Sequence, residues 1–476
     1  MEPQSYPAPE IPRITLAGCR GPLTIESWGE SSIELVAAEE APAVRQEGDT
    51  LAIENGAGEL RLRVPPATTA VLERLDGTLT VRGIQSLSVD RIDGDVVVEE
   101  IGGEVHLRDL DAGLRAAHVQ SLQVEDGPQP DRRVKNVIVD DAGAVQIDNV
   151  DGDCTVRNVA GSFRCNNIGG NLTLTGNDQT AVVGANVGRA LEVSGTRNLH
   201  IANVGMHAVV RAVGGDVRLG NIGANCAVDE VGGNLALVNV GGSLTIRRVG
   251  GVDRIGNIGG NLTLHAAPLA TGSIPHDGLR ITVGGNARIE LPDAANIRIE
   301  AMVGGAIRAE RGFISGPGKS TVVFGDGSAR LHIVAGGNVE LHGGGVPRAV
   351  DGAWSGPEGF GAQFRDFGAQ FGELGASFGS MGADIGRAVS QAVAGIGPEV
   401  SRAVAEAWEP WARSRANPTT SSHRPAGDPA RSPSAATGAT ERLDPDRQAA
   451  REAVLRMVAT GRITPDEGAS LLDALG

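Results

Sequence analysis

The sequence predicts a mainly β protein: a single-chain parallel β-solenoid of about 18 residues per coil, followed by amphipathic helices, a disordered linker and a small α-hairpin. Three observations predict it. A [Val/Ile]-Gly pair returns every nine residues at Val204, Val213, Ile222, Val231, Val240, Val249 and Ile258. The residue before the pair alternates, so Asn203, Asn221, Asn239 and Asn257 recur every 18 residues while Ala212, Glu230 and Arg248 fill the slots between. Glycine is abundant, at 69 residues of 476, and aromatic residues make up only 3%. A fixed short period marks a stacked repeat, in which each unit buries its apolar side against the next.

Residues 1–10 are Pro-containing and expected to be a flexible N-terminus. The solenoid is expected over 11–345, with 11–64 forming irregular first coils of alternating apolar and polar residues, because an end of a stack needs a cap. Leu75-Asp76-Gly77, Ile92-Asp93-Gly94 and Ile101-Gly102-Gly103 establish the register. The stretch from Leu114 to Val139, which contains Gly-Pro-Gln-Pro-Asp-Arg-Arg, is expected to break it with a loop inserted between coils. The pattern resumes at Val150 and loosens at Val283, Val303 and Ala335. In the half-repeat Val231–Asn239, Leu235 and Leu237 lie on one side of a strand, with Ala236 and Val238 opposite. The Gly-Gly pairs are expected to make corners with positive φ, which side chains resist. The structural residues of the repeat are accordingly Asn203, Gly214, Gly215, Asn221, Gly232, Gly233, Asn239, Gly241, Gly242, Asn257, Gly259 and Gly260, with the asparagines stacking as a ladder of amides.

Beyond the repeat, 354–411 is expected to be an amphipathic Phe/Gly helical segment. Phe360, Phe364, Phe367, Phe371, Leu374, Phe378, Met381 and Ile385 alternate spacings of four and three. Three roles fit such a stripe: capping the solenoid, driving oligomerisation, or lying on a membrane. Asp366, Glu373 and Asp384 weigh against the last, because membrane-surface helices favour Lys and Arg on the polar face. Residues 412–441 read as a disordered Pro/Ser/Thr/Ala linker, and 442–476 as a helical hairpin capped at Asp444-Pro445 and Thr464-Pro465.

The net charge of −16 argues against nucleic acid and anionic membrane as electrostatic partners. No targeting segment or apolar span is expected, which points to the cytoplasm, with peripheral membrane contact left open. Cys19, Cys154, Cys165 and Cys226 lack metal-ligand spacing and read as reduced core residues. No cofactor, metal or catalytic residue is expected. The Gly-Gly-Asn-Leu units lack the Asp of calcium-binding nonapeptides, and no Gly-x-Gly string opens a helix after a strand. Two acidic clusters carry the alternative of a carbohydrate-active β-helix enzyme: Asp90, Asp93, Asp95, Glu99, Glu100, Asp109 and Asp111 first, then Asp140, Asp141, Asp148, Asp151 and Asp153. A purely structural, filament-forming protein is the third class.

The C-terminal stretch VLRMVATGRITPDEGASLLDAL resembles the SHOCT-like bihelical domain, matching it at Gly461, Ile463, Thr464, Glu467, Ala469, Leu471 and Leu472. The repeats from Val64 to about His342, opened by VPPATTAVLERLDGTLTVRGI, are similar to the toastrack ("putative adhesin") family, which has no assigned enzymatic activity. Their combination resembles bacterial cell-envelope-stress proteins, although those often place the hairpin first. The resemblance implies a non-enzymatic scaffold with protein partners, self-associating or recruited through its C-terminal helices. Phe360, Phe364, Phe367, Phe371, Phe378, Gly461, Ile463, Thr464, Leu471 and Leu472 are the interaction candidates.

Overall fold

Each nine-residue half-coil turns three side chains inward, at its first, third and sixth positions: Cys154, Val156 and Val159, or Leu235, Leu237 and Val240, all at most 2% exposed. The computed structural model describes residues 3–37, 42–128, 132–265, 275 and 278–349. Among them the secondary structure is strand and the pairing mainly parallel. Two half-coils of nine explain the 18-residue period, since Arg218 pairs with Ala236 and Leu219 with Leu237. The [Val/Ile] of the repeat is the third inward residue, filling the corner between two strands. The interior is aliphatic, with Phe163 and Phe324 the aromatic members of the core among the described residues. The four cysteines are buried and free, and burial pushes the Cys165 and Cys226 thiols up to about 12.

The strands form two faces. One carries Ser162–Ile168, Ala181–Val187, Asn198–Val204 and Val217–Ile222, each paired with the next, and is here termed the asparagine face. The other carries Cys154–Val159, Leu172–Gly176, Leu191–Thr196 and Ala208–Val213, and is termed the ion-pair face.

The corner glycines serve a purpose other than the expected one. Gly214, Gly215, Gly232, Gly233, Gly241, Gly242, Gly259 and Gly260 are not among the positive-φ residues. At Gly215, Gly232, Gly233, Gly242 and Gly260 the requirement is space, because the neighbouring coil stacks too closely at the corner to admit a Cβ. A Cβ on Gly233 would lie 2.5 Å from Asp216 Oδ1, and one on Gly260 would lie 2.8 Å from Ser243 Oγ. Positive φ falls instead on the residue just before the corner Val, Ile or Ala, on the ion-pair side: Glu100, His118, Asp141, Asn158 and Ala212, with Gly83 in the same column.

The expected break between Leu114 and Val139 is also smaller than the sequence suggested. Leu114–Glu125 is one strand crossing both faces, in register with Val96–Arg108 before it and Val137–Val150 after it. The interruption is confined to the connection after Glu125.

At both ends the coils are stacked out of sequence order. Arg13–Ala17 and Leu23–Ser27 lie between Thr50–Glu54 and Leu60–Val64 on one side and Thr69–Leu72 and Leu79–Arg82 on the other. At the far end, Ala329–Ala335 and Val339–Gly343 are inserted between Leu279–Val283 with Ala287–Leu291 and Ile297–Val303 with Ile307–Ala309. Antiparallel strands then cover the exposed edges. Ser32–Ala37 and Ala43–Glu47 do so at the first end, and Phe313–Ser315 and Gly318–Phe324 at the second. A bare parallel edge would invite further strands, and reversing direction stops the stack.

The Phe/Gly segment, the linker and the SHOCT-like hairpin lie outside the described residues. So do Phe360, Phe364, Phe367, Phe371, Phe378, Gly461, Ile463, Thr464, Leu471 and Leu472.

Candidate functional site

The asparagines of the repeat form one continuous hydrogen-bonded ladder. Asn167 donates its side-chain amide to Asn149, Asn186 to Asn167, Asn203 to Asn186, Asn221 to Asn203, Asn239 to Asn221 and Asn257 to Asn239, at 2.6–3.0 Å. Each amide uses its N–H on one neighbour and its carbonyl on the other, which fixes its orientation along the stack. The adjacent glycines hold the same stacking through the backbone. Gly214, Gly241 and Gly259 donate to the carbonyls of Thr196, Ile222 and Val240, one coil earlier, at 2.8 Å. In a second set of bonds the backbone amides of one coil donate to side-chain oxygens of the coil before, Asp216 N–H to Asn198 Oδ1 and Asn234 N–H to Asp216 Oδ1.

On the ion-pair face the outward charges are matched one coil apart. Arg157 meets Asp140 at 3.2 Å, Arg211 meets Glu192 at 2.6 Å, Arg247 meets Asp229 at 3.4 Å and Arg248 meets Glu230 at 3.3 Å. Exposed pairs of this kind contribute about 0–1 kcal/mol each, so they set register more than stability.

The first acidic cluster does not converge on a cleft. Arg132, from the stretch read as a loop, is buried and donates from Nε to Asp109 Oδ1 at 2.9 Å, from Nη2 to the Ile92 carbonyl at 2.9 Å, and from Nη1 to Asp93. Burial alone would lower the Arg132 pKa, and the bonds to Asp93 and Asp109 more than offset it, leaving it raised. Asp90 pairs with Arg108, Asp111 with Lys135 and Glu99 with Arg82, while Asp95 accepts the Gly113 amide at 2.9 Å. Glu100 holds a left-handed backbone position. These carboxylates are tied up in connecting coils.

In the second cluster, Asp140, Asp141 and Asp151 pair with Arg157, His118 and Arg133, and Asp153 accepts the Asn171 amide at 2.8 Å. Asp148 differs. It accepts a bond from Asn166 at 2.8 Å, and burial, with Asp126 and Glu125 nearby, pushes its carboxyl up to about 6. Burial likewise raises Asp126, which accepts the Asn149 amide and so heads the asparagine ladder. Asp126 and Glu125 were missed in sequence. The available signal was positional, since Asp126 occupies the column that asparagine fills in later coils.

Several histidines that looked scattered also face carboxylates on neighbouring coils. His106 lies 3.3 Å from Glu125, His265 2.5 Å from Glu290 and His332 3.3 Å from Glu300. Among the described residues no group of three or more His, Cys, Asp or Glu is placed to hold a metal ion, and no helix is long and apolar enough to cross a membrane. A cleft of about 310 Å³ sits where the asparagine ladder ends, lined in part by Asp253, Arg254, Asn257, Arg280 and Thr282.

The fold and these surfaces define a strand-rich, parallel stacked-coil protein whose outward chemistry repeats from coil to coil. No protein-family model matches the chain, and no curated protein matches it in sequence. Among solved structures it is similar to a chain described as a "putative cell adhesion protein" from Clostridium sporogenes. That likeness is 10% identical, covers 72% of this chain and 99% of that chain, and has a TM-score of 0.13. At that score it carries no argument, and the function is read from the chain's own residues.

Proposed function

We propose that this chain is a non-enzymatic interaction scaffold, of the adhesin-like or cell-envelope-stress kind that its repeats and C-terminal hairpin resemble. The observation that carries this reading is the asparagine ladder, running unbroken from Asn149 to Asn257. A surface whose chemistry recurs about every 4.8 Å suits contact with an extended partner, since one interaction is multiplied along the stack. The solenoid would supply that surface, and the C-terminal segments 354–411 and 442–476 would self-associate or recruit.

Cross-linking of the full chain in cell extract, followed by identification of the linked sites, tests the reading. Partner cross-links along the coils support it. The enzymatic alternative rests on the raised Asp148, because acid catalysis uses such a carboxyl. Turnover in a polysaccharide hydrolase and lyase screen, lost in Asp148→Asn or Asp93→Asn, would replace the scaffold by that alternative.

A further inference from the structure

The cleft at the end of the asparagine ladder is opened by a change in strand pairing. Leu244–Ile258 follows Cys226–Val240 over most of its length, but it meets Leu279–Val283 only at Asn257–Thr282 and Ile258–Val283. Before those two pairs the strands part, and residues 252–256 and 279–281 form the two lips. Leu279–Val283 is meanwhile paired along its whole length with Ala329–Ala335 on its other side. The lips therefore turn strand edges, with their backbone N–H and C=O groups, toward the opening.

The charge here is the reverse of the chain's. Arg254 stands on one lip and Arg280 on the other, with Asp253 the only acid among the described lining residues. Gly278, at φ of +94°, puts no side chain in the mouth. A Cβ there would lie 3.1 Å from the Cβ of Arg330 and 3.4 Å from Cδ2 of His332, so these two flank the cleft. Arg298, the register partner of Arg330, is occupied by Glu300 at 3.0 Å, and His332 faces the same carboxylate at 3.3 Å. Among the described residues Arg254, Arg280 and Arg330 are in no ion pair. Three uncommitted arginines against Asp253 make a basic spot on a chain of net charge −16. Screening at physiological salt limits such fields to about 8 Å, so the local arginines govern what enters.

We propose that the cleft is a docking site for an extended acidic peptide of a partner protein, its carboxylates held by Arg254 and Arg280 and its backbone paired with a lip. Arginine presents a planar fork that binds a carboxylate through two N–H groups, and such charged pairs are stronger than neutral hydrogen bonds. Strand addition at an open edge supplies main-chain bonds, while alternate side chains supply the choice of sequence. A volume of about 310 Å³ is at the small end for a ligand pocket and suits one or two side chains rather than a whole cofactor. The described lining has no aromatic ring, which argues against a sugar, since sugars favour a stacking platform. The inference does not lean on the scaffold reading, because the arginines and the open edge are the same whether or not the ladder face carries a partner.

Fluorescence anisotropy of the full chain with a labelled eight-residue glutamate peptide tests it. The expected result is saturable binding that weakens with salt and is absent for the matching glutamine peptide. Arg254→Gln and Arg280→Gln should each weaken it about tenfold or more. Their circular dichroism spectra should be unchanged, because both side chains are exposed. Arg189→Gln, exposed at a corner outside the cleft, should bind as the wild type does. A glutamate peptide with proline at every second position should bind about tenfold more weakly, since proline offers the lip no N–H. No binding of the glutamate peptide, binding indifferent to Arg254→Gln and Arg280→Gln, or equal loss in Arg189→Gln would overturn the inference. Tighter binding of an oligogalacturonate or of inorganic phosphate would also overturn it, making the occupant a sugar or a free anion. Equal affinity for the proline peptide would overturn the strand pairing.

Discussion

The coils from Cys154 to Ile258 and the coils at the two ends share one inward spacing but stack by different rules. In the middle, each coil rests on the one just made, as Leu199 pairs with Val217 and Val217 with Leu235. At the ends a coil waits for partners far along the chain, as Ile14 pairs with both Leu51 and Ala70, and Ile281 with Ile333. Nearest-neighbour stacking lets the middle open locally, as in other linear repeats. Interleaving removes that freedom, because the inserted coil is gripped on both sides by segments laid down at other times. The regular run thus supplies the surface, and the ends supply closure.

Matched core truncations test this contrast most strongly. Ile25→Ala and Ile246→Ala both remove a fully buried side chain, and each should cost about 2–5 kcal/mol in chemical denaturation. Hydrogen exchange should tell them apart. Acceleration in Ile246→Ala should stay within the adjoining coils, whereas in Ile25→Ala it should extend through 13–82. Equal spread in both would erase the distinction between middle and ends.

Next in size is the junction where the ladder begins. The Asp148 carboxyl is raised from 3.8 to about 6 in the folded chain. The folded state therefore holds this proton more tightly than the unfolded one. The associated stability is fully present below pH 3.8 and is lost as pH rises through about 6. Asp148→Asn keeps an acceptor for Asn166 and removes the charge beside Asp126 and Glu125. It should raise stability at pH 7 by up to about 3 kcal/mol, at roughly 1.4 kcal/mol per pH unit, with the gain vanishing near pH 4. Thermal melts at both pH values check it.

The glycines offer a smaller test. Gly233 needs space, with negative φ, whereas Gly48, between the antiparallel strands Ala43–Glu47 and Thr50–Glu54, needs φ of +58° and has open space around its Cα. Asparagine tolerates the left-handed region, so Gly48→Asn should cost little while Gly233→Asn costs about 1–3 kcal/mol through crowding against Asp216. The reverse ranking in urea melts would restore the conformational explanation of the repeat glycines. Smallest is Ala212→Gly, expected to stabilise by about 1 kcal/mol, because Ala212 holds φ of +51° at an exposed corner.

The regular coil was legible because inward side chains at successive spacings of two, three and four leave a nine-residue signature, and the asparagines doubled it. The reason for the glycines was not, since a period shows that a Cβ is unwelcome without showing whether φ or a neighbouring coil forbids it. Stacking order at the ends was hidden for a related reason. Strands such as Ile14–Leu16 and Leu331–Ile333 carry the same alternation as any other, and alternation does not say which coil lies beneath. Arg132 was concealed by its proline-rich setting, where a long cation reads as solvated. Asp126 was concealed by the longer connection after Glu125, which shifts it out of the 18-residue count.

The interleaved ends also bear on how this molecule can change length. A complete 18-residue unit added between Cys154 and Ile258 would bring its own strands, ladder rung and corner glycines, moving the two ends apart by about 4.8 Å. Nothing in either end would need to be rewritten to accept it. The terminal coils act as fixed bookends, and the number of volumes between them is free to vary.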